Sequence, residues 1–599
     1  MKNFITSMLG SLVALIVFAT AAVLLFIGFV GAIVALGHEK KTPEIASGSY
    51  LVFDLSTNIT DSPPEFDLGQ LSDGRSDTAQ LRTLMRAIHQ AAHDPKIKGM
   101  LLLGNLSPNG LGSGYAALRE LRDSLGGFRA AGKPVIAYLE YATTRDYYLA
   151  SAAGEVIMDP YGELIMPGLA TEPMFLGGAF EKYGIGVQVA KVGKYKSYAE
   201  MFTRGDMSPE AREETQKLLD DVWGTIVGDV AKSRNLRSGS IQSIVDSQGL
   251  IKASAALRGG LVDKVAYRDQ LIDSLKKETG VTSPTDSFKQ VEMDRYDRTL
   301  SSPRGFGSDE VAIVYAEGDI VDGEGGPSDI GGAKFAREIR QLREDSSVKA
   351  IVLRVNSPGG SASGAETIQR ELRLARKVKP VIVSMGSYAA SGGYWISAYA
   401  DHIFAEPSTV TGSIGVFGIL PNIQKLANDH GVTFDSVKTG KFAGGLLTIS
   451  RPRTPEELAI FQNSVDWMYD EFIAKVSEGR GMKPDRVREI AQGRVWSGSD
   501  AVKIGLVDEI GGLNAAVRYA AQRAGIMEHY RVTEYPTSRN LSQAIAEALG
   551  KVAPITLRLR PTGLVGQVAD LAEGEVSWLQ GLNDPRGVYA KMPADLVIR

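Results

Sequence analysis

At 599 residues, with 44% hydrophobic and 23% charged residues, the chain is too long for one hydrophobic core and has the composition of an ordinary globular protein. Its 66 Lys and Arg nearly balance 70 Asp and Glu, so no basic surface points to nucleic acid. There is no Cys, which excludes a thiol nucleophile, a thiolate metal site and any disulfide.

The first feature in chain order is an uncharged run from Asn3 to Gly37, 35 residues long. A helix needs about 20 apolar residues to cross a bilayer, so a retained membrane anchor within residues 4–37 is expected. A cleaved signal peptide would have a shorter apolar region, about 7 to 15 residues. Lys2 on one side and His38, Glu39, Lys40 and Lys41 on the other do not orient the span.

From residue 46 the chain repeats itself. The stretch YYLASAAGEVIMDP (147–160) answers YWISAYADHIFAEP (394–407) at an offset of 394 − 147 = 247. Lys133-Pro134-Val135-Ile136 answers Lys379-Pro380-Val381-Ile382, and Ser208-Pro209-Glu210 answers Thr454-Pro455-Glu456, both at 246. Gly193-Lys194-Tyr195 answers Gly440-Lys441-Phe442 at 247. In the second copy, Ala350–Val355 and Pro380–Ser384 read as buried strands joined by a helix over about 366–377, a βαβ unit in a parallel sheet. The Ser-Pro-Glu and Thr-Pro-Glu triplets are helix starts: a hydroxyl N-cap, Pro at the first position, then an acid. These features divide the chain into 1–45 (tip and anchor), 46–281 (first repeat), 282–309 (a Ser/Pro/Gly-rich linker), 310–537 (second repeat) and 538–599 (a C-terminal extension).

Two segments of the second repeat can carry chemistry. Asn356-Ser357-Pro358-Gly359-Gly360 follows a strand, where consecutive glycines turn the chain sharply and leave N–H groups uncovered. Ala389-Ala390-Ser391-Gly392-Gly393-Tyr394 follows the next strand and opens a helix, with small residues on both sides of the Ser391 hydroxyl and the Gly392 N–H facing a developing oxyanion. Taken singly, each also reads as a plain turn or as small residues easing helix packing. A serine needs a base, and only His402 and His430 lie within 40 residues of Ser391. His402 sits in a strand-like run, where packing or exposure accounts for it. A lysine held neutral can replace histidine.

Ser357-Pro358-Gly359-Gly360, Ala390-Ser391-Gly392-Gly393-Tyr394, Thr411-Gly412-Ser413-Ile414-Gly415 and Gly193-Lys194-Tyr195-Lys196-Ser197 together resemble signal peptide peptidase A of the long, duplicated type. The resemblance runs from about residue 46 to the tail, where Asn583-Asp584-Pro585 and Tyr589 share it. It implies an α/β fold of tandem Clp protease/crotonase-like domains behind one N-terminal transmembrane helix. It also implies Ser391 as nucleophile, Lys196 as general base, Gly360 and Gly392 as oxyanion donors, and Ser413 as hydrogen-bond partner of the lysine amine. Apolar peptides, especially signal-peptide remnants, are the implied substrates; a homotetramer is the implied assembly, and the periplasmic side of a bacterial inner membrane the implied location. A neutral Lys196 at pH 7 requires its pKa to fall from about 10.4, which demands burial or nearby positive charge. At the 247 offset Ser391 falls on Thr144 and Lys196 on Ala443, so each copy keeps one half of the pair.

No metal or organic cofactor is expected, since there is no Cys, no HExxH and no His/carboxylate cluster with ligand spacing. A crotonase-like acyl-CoA enzyme and a non-catalytic membrane scaffold are the competing classes.

Overall fold

The computed structural model describes residue 18 and residues 44–64, 78–300, 309–536 and 583–592. Two large sheets dominate it. The first runs, in spatial order, Gln290–Glu292, Ser49–Asp54, Ile97–Leu103, Val135–Thr143, Glu155–Ile165 and Leu250–Lys252, with Lys264–Val265 also on Glu155–Ile165. In the second, the order is Arg531–Tyr535, Glu310–Glu317, Val348–Ser357, Val381–Ala390, Val410–Gly412 and Val495–Ser497. His402–Ala405 also pairs with Val381–Ala390 and carries Glu509–Ile510. The two orders correspond strand for strand, except that the single strand Glu155–Ile165 answers the pair His402–Ala405 and Val410–Gly412. Within the stretch read as a linker, Gln290–Glu292 pairs with Ser49–Asp54, and Met293–Thr299 is helical.

The central strands are parallel and buried on both faces, as their Val/Ile/Leu/Ala content requires. Helices Leu81–His93 and Tyr115–Ala130 cover one face of the first sheet, and Arg268–Thr279 packs on the other through Leu271 and Leu275. Gly332–Glu344 and Ala362–Arg376 do the same for the second sheet, opposite Leu513–Arg523. Both 26-residue helices start as their triplets dictate: the Ser208 hydroxyl accepts from the Ala211 N–H ahead of Pro209–Arg234, and Thr454 forms a capping box with Glu457 ahead of Pro455–Arg480.

Three of the features that join the halves among the described residues bear on the site. A mixed six-stranded sheet runs Ile330–Gly331, Ile320–Val321, Gly359–Ser361, Val588–Lys591, Phe417–Asn422 and Gly186–Lys191, the last pair antiparallel from Phe417↔Lys191 to Asn422↔Gly186. The fully buried Arg354 of the second half donates to Asp61 (2.8 Å) and Glu120 (2.6 Å) of the first and to the Ser384 hydroxyl. Removing one partner from such a buried set costs about 3–5 kcal/mol, because a charge is left uncompensated. Helix Pro209–Arg234 lies against Val495–Ser497, where the Ser497 hydroxyl donates to Asp221.

The membrane expectation is corrected here. Among the described residues no helix is long and apolar enough to cross a membrane; Pro209–Arg234 and Pro455–Arg480 have the length, but both carry many charged side chains. The anchor expected within residues 4–37 falls, Phe18 apart, outside the described residues. The supported fold class is α/β, with no membrane-crossing helix among the described residues. The membrane-anchored form of the function, the lipid bilayer as a partner and the single-pass inner-membrane location all rested on that helix and are withdrawn with it.

Candidate active site

Ser391 stands where the Val381–Ala390 strand turns into the short helix Gly392–Ser397, with φ 55° and ψ −110°. A non-glycine residue in that region costs about 1–3 kcal/mol and persists only where its surroundings hold it. Here its N–H donates to the Gly412 carbonyl at 2.7 Å and its carbonyl accepts from the Trp395 N–H at 2.8 Å. The result resembles a nucleophile elbow, with the hydroxyl turned away from capping its own helix.

Lys196 arrives from the other half of the molecule. The Gly186–Lys191 strand, bound to Phe417–Asn422, brings the chain to Gly193, and the turn that follows it buries Lys196 completely. Its Nζ lies 2.8 Å from Ser391 Oγ, 3.0 Å from Ser413 Oγ and 3.1 Å from the Ser413 carbonyl oxygen. Three contacts suit a neutral amine, which accepts the Ser391 proton on its lone pair and donates its two hydrogens to Ser413. Burial drives the ammonium well below the ordinary lysine value, while the Glu214 carboxyl pulls in the opposite direction. Ser413 has a positive φ of 49°, and its N–H donates to the Arg494 carbonyl at 2.7 Å.

Gly493 makes the approach possible. At φ 78°, a Cβ there would fall 2.6 Å from Lys196 N and 2.7 Å from Lys196 Cβ. Tyr195 N–H also donates to the Gln492 carbonyl at 2.9 Å, so the 492–495 turn and the lysine turn interlock.

The two candidate oxyanion donors are close together. A Cβ on Gly392 would lie 3.2 Å from Gly360 N, and one on Gly359 would lie 2.7 Å from Gly392 N. Beside them runs Val588–Lys591, antiparallel to both Gly359–Ser361 and Phe417–Gly418, with Gly360 opposite Ala590. A Cβ on Gly392 would be 3.0 Å from the Ala590 carbonyl oxygen, and the Met592 N–H donates to the Pro358 carbonyl. Asp584 secures this strand through the Ser361 hydroxyl at 2.5 Å and the Ser363 N–H at 3.0 Å. Val588 and Ala590 face the apolar core of the second half, and Tyr589 faces Tyr198 and Phe417.

Of the residues singled out by motif, Ser391, Lys196 and Ser413 are thus joined by hydrogen bonds, and Gly360 and Gly392 lie side by side. Thr144 and Ala443 are elsewhere: Thr144 is buried in a helix start, and Ala443 is in an exposed turn. His402 stacks on Tyr519 with ring centroids 4.3 Å apart, a packing role. Glu214 and Gly493 escaped the motifs; of the 588–591 strand only Tyr589 was singled out, together with the Asn583-Asp584-Pro585 before it. Among the described residues no group of three or more His, Asp or Glu is arranged to hold a metal ion.

The model of peptidase family S49 matches residues 127–282 and 373–527, together more than half of the chain. Protease 4 of Salmonella typhi is 35% identical over 584 residues, spanning 94% of this chain and 92% of that protein. The chloroplastic serine protease SPPA of Arabidopsis thaliana is 32% identical over 546 residues, 90% of this chain and 78% of its own. Among solved structures, a ClpP1 mutant from Listeria monocytogenes overlaps 34% of this chain and 94% of its own at 17% identity, with a TM-score of 0.24, too low to bear on the fold.

Proposed function

Because the chain belongs to peptidase family S49, we propose that it is a serine endopeptidase in which Ser391 is the nucleophile and Lys196 the general base. The observation that carries this reading is the buried contact between Lys196 Nζ and Ser391 Oγ, 2.8 Å long and made across the two halves of the chain. The duplicated layout belongs to the same reading: one repeat supplies the base and the other the nucleophile and oxyanion donors. The matching strand orders of the two sheets support it.

Neutral Lys196 removes the Ser391 proton as Oγ attacks the carbonyl carbon of a bound peptide. The N–H groups of Gly360 and Gly392 receive the oxyanion, in a site where burial strengthens such bonds. Collapse breaks the peptide C–N bond, the leaving amine takes the proton from Lys196, and an acyl-enzyme on Ser391 remains. Lys196 then deprotonates a water that releases the second product. Ser413 holds the amine in line through both of its oxygens.

The substrate class is an extended apolar peptide, such as the remnant of a signal peptide. Support comes from the place that Val588–Lys591 takes: a strand between two strand edges, with alternate side chains against apolar surfaces. A substrate backbone would be held in the same way.

The test is labelling of the purified protein with a fluorophosphonate, followed by peptide mapping. Modification confined to Ser391, lost in Ser391→Ala, is the expected result. A protein that hydrolyses no peptide and takes no label, as a crotonase-like enzyme would behave, would overturn the assignment.

A further inference from the structure

One buried acid close to the Ser391/Lys196 pair has no part in the steps above. Glu214 lies in the second turn of helix Pro209–Arg234 and is 2% exposed. Its Oε2 accepts the Val495 N–H at 3.0 Å, while its Oε1 is buried without a hydrogen-bond partner among the described residues. A buried carboxyl with an unpaired oxygen is costly as an isolated anion, so its charge depends on a cation close by.

The 492–495 turn connects it to the site. Val495 binds Glu214; Arg494 accepts the Ser413 N–H; Gly493 lies against Lys196; Gln492 accepts the Tyr195 N–H. One four-residue segment therefore carries the acid on one side and the lysine with its serine partner on the other. The charged groups that face Glu214 are Lys196, Arg494 and Glu200. Arg494 is itself engaged by Glu213 at 3.3 Å and by the Tyr195 hydroxyl, which leaves Lys196 as the buried cation for Glu214 to answer. The influence is mutual. Burial pushes the Glu214 carboxyl up to about 8, Glu200 adding to it, while the Val495 N–H, Lys196 and Arg494 pull it down. Glu214 is in turn the charged group acting on Lys196.

We propose that Glu214 is a positioning residue that supplies the counter-charge for the Lys196 ammonium formed when Ser391 gives up its proton, and so sets the pH at which Lys196 becomes a base. The proposal rests on the Ser391/Lys196 reading. The proton balance starts from a Glu214 carboxylate beside a neutral amine: Ser391 hands its proton to Lys196, which leaves a carboxylate beside an ammonium until the leaving amine takes that proton, and the two groups titrate as a pair. Without the carboxyl, a buried ammonium has nothing to offset its desolvation and loses its proton at lower pH.

The test is Glu214→Gln, whose side-chain oxygen can still accept from Val495. The readouts are the pH profile of kcat/KM on a peptide and the pH profile of fluorophosphonate labelling of Ser391. The acid limb of both should move to lower pH by about half a unit or more, with kcat reduced and KM little changed. Glu214→Asp, which keeps the charge, should return the limb toward its wild-type position and covers the case in which the Gln variant does not fold. Profiles of folded Glu214→Gln that superimpose on wild type would overturn the proposal, as would a Glu214→Asp limb displaced as far as that expected for Gln. A wild-type protein without a labelled Ser391 would instead overturn the Ser391/Lys196 reading, so the two failures are distinct.

Discussion

The same strand-to-helix junction occurs twice in this chain and is finished in two ways. At the end of Val135–Thr143, Thr143 is an ordinary N-cap with φ −82° and ψ 174°, in a capping box with Asp146. At the end of Val381–Ala390, Ser391 occupies the cap position with φ 55°, ψ −110° and no side-chain cap bond. Asp146 also accepts from the Leu106 N–H (2.7 Å) and Asn105 Nδ2 (3.1 Å), so a carboxylate closes the first junction against the loop beside it. In the second half that loop is Ser357–Gly360 and the residue at the position of Asp146 is Gly393, which leaves backbone N–H groups and room for a reacting atom.

Bonds that only hold the fold are kept in both halves. Tyr147 hydroxyl donates to the Leu261 carbonyl, and Tyr394 hydroxyl to that of Leu506. Lys133 Nζ reaches the carbonyls of Ala91 and Asp94, and Lys379 Nζ those of Leu342 and Asp345. Asp263 binds the Val156 N–H and Arg234, as Asp508 binds the Ile403 N–H and Arg480. The halves therefore share these bonds and differ around Ser391, the proposed nucleophile. Backbone strain, kept at one junction and relieved at the other, distinguishes the end proposed to carry the reaction from the structural one.

The comparison breaks most severely at the pair itself. Ser391→Ala and Lys196→Ala should each lower kcat about ten-thousand-fold in peptide turnover assays, with the double variant no worse than either single one, because the two groups act as a unit. Lys196→Arg should not rescue, since a guanidinium stays protonated and cannot accept the proton. Because the Lys196 value is lowered by burial, wild-type kcat/KM should rise as pH increases through a value well below the usual ~10.4 and then level off. A limb at the ordinary lysine value would show that Lys196 is not held neutral.

A second, smaller effect is expected at Gly493. Gly493→Ala places a methyl group on the Lys196 backbone at a residue with positive φ, so the amine should be displaced and kcat should fall about a hundred-fold in a protein that still folds. Crystallography or the rate of Ser391 labelling would register the displacement.

On the structural side the expected signs reverse. Asp146→Ala removes a capping box and the acceptor for the Leu106 N–H, and should cost about 1–3 kcal/mol in denaturant melts while activity per folded molecule is retained. Loss of turnover in a well-folded Asp146→Ala protein would show that the first junction also serves the reaction. Least affected should be Thr144→Ala and Ala443→Ser, at the positions that answer Ser391 and Lys196, with activity within about two-fold of wild type and stability within about 1 kcal/mol.

Much of this was legible before the fold. Hydrophobic runs marked Val348–Ser357 and Val381–Ala390, and the Pro triplets marked both long helices, because period and capping are local properties of a chain. The motifs singled out Ser391, Lys196, Ser413, Gly360 and Gly392 as residue types suited to acyl transfer. The anchor expected from the uncharged run is the part that did not carry over: a run of apolar residues states a capacity to span, and no described helix realises it.

What the sequence determined by itself, then, is the set of chemical groups and the elements that bear them. Only the tertiary structure decided which of those groups meet. Lys196 and Ser391 are 195 residues apart, and their contact depends on the Gly186–Lys191 strand of one half pairing with Phe417–Asn422 of the other and on Gly493 leaving space. Burial of the amine, the unpaired oxygen of Glu214 and the strand at 588–591 follow from the same long-range packing. No local pattern encodes them, because desolvation is a property of what surrounds a group rather than of its neighbours in the chain.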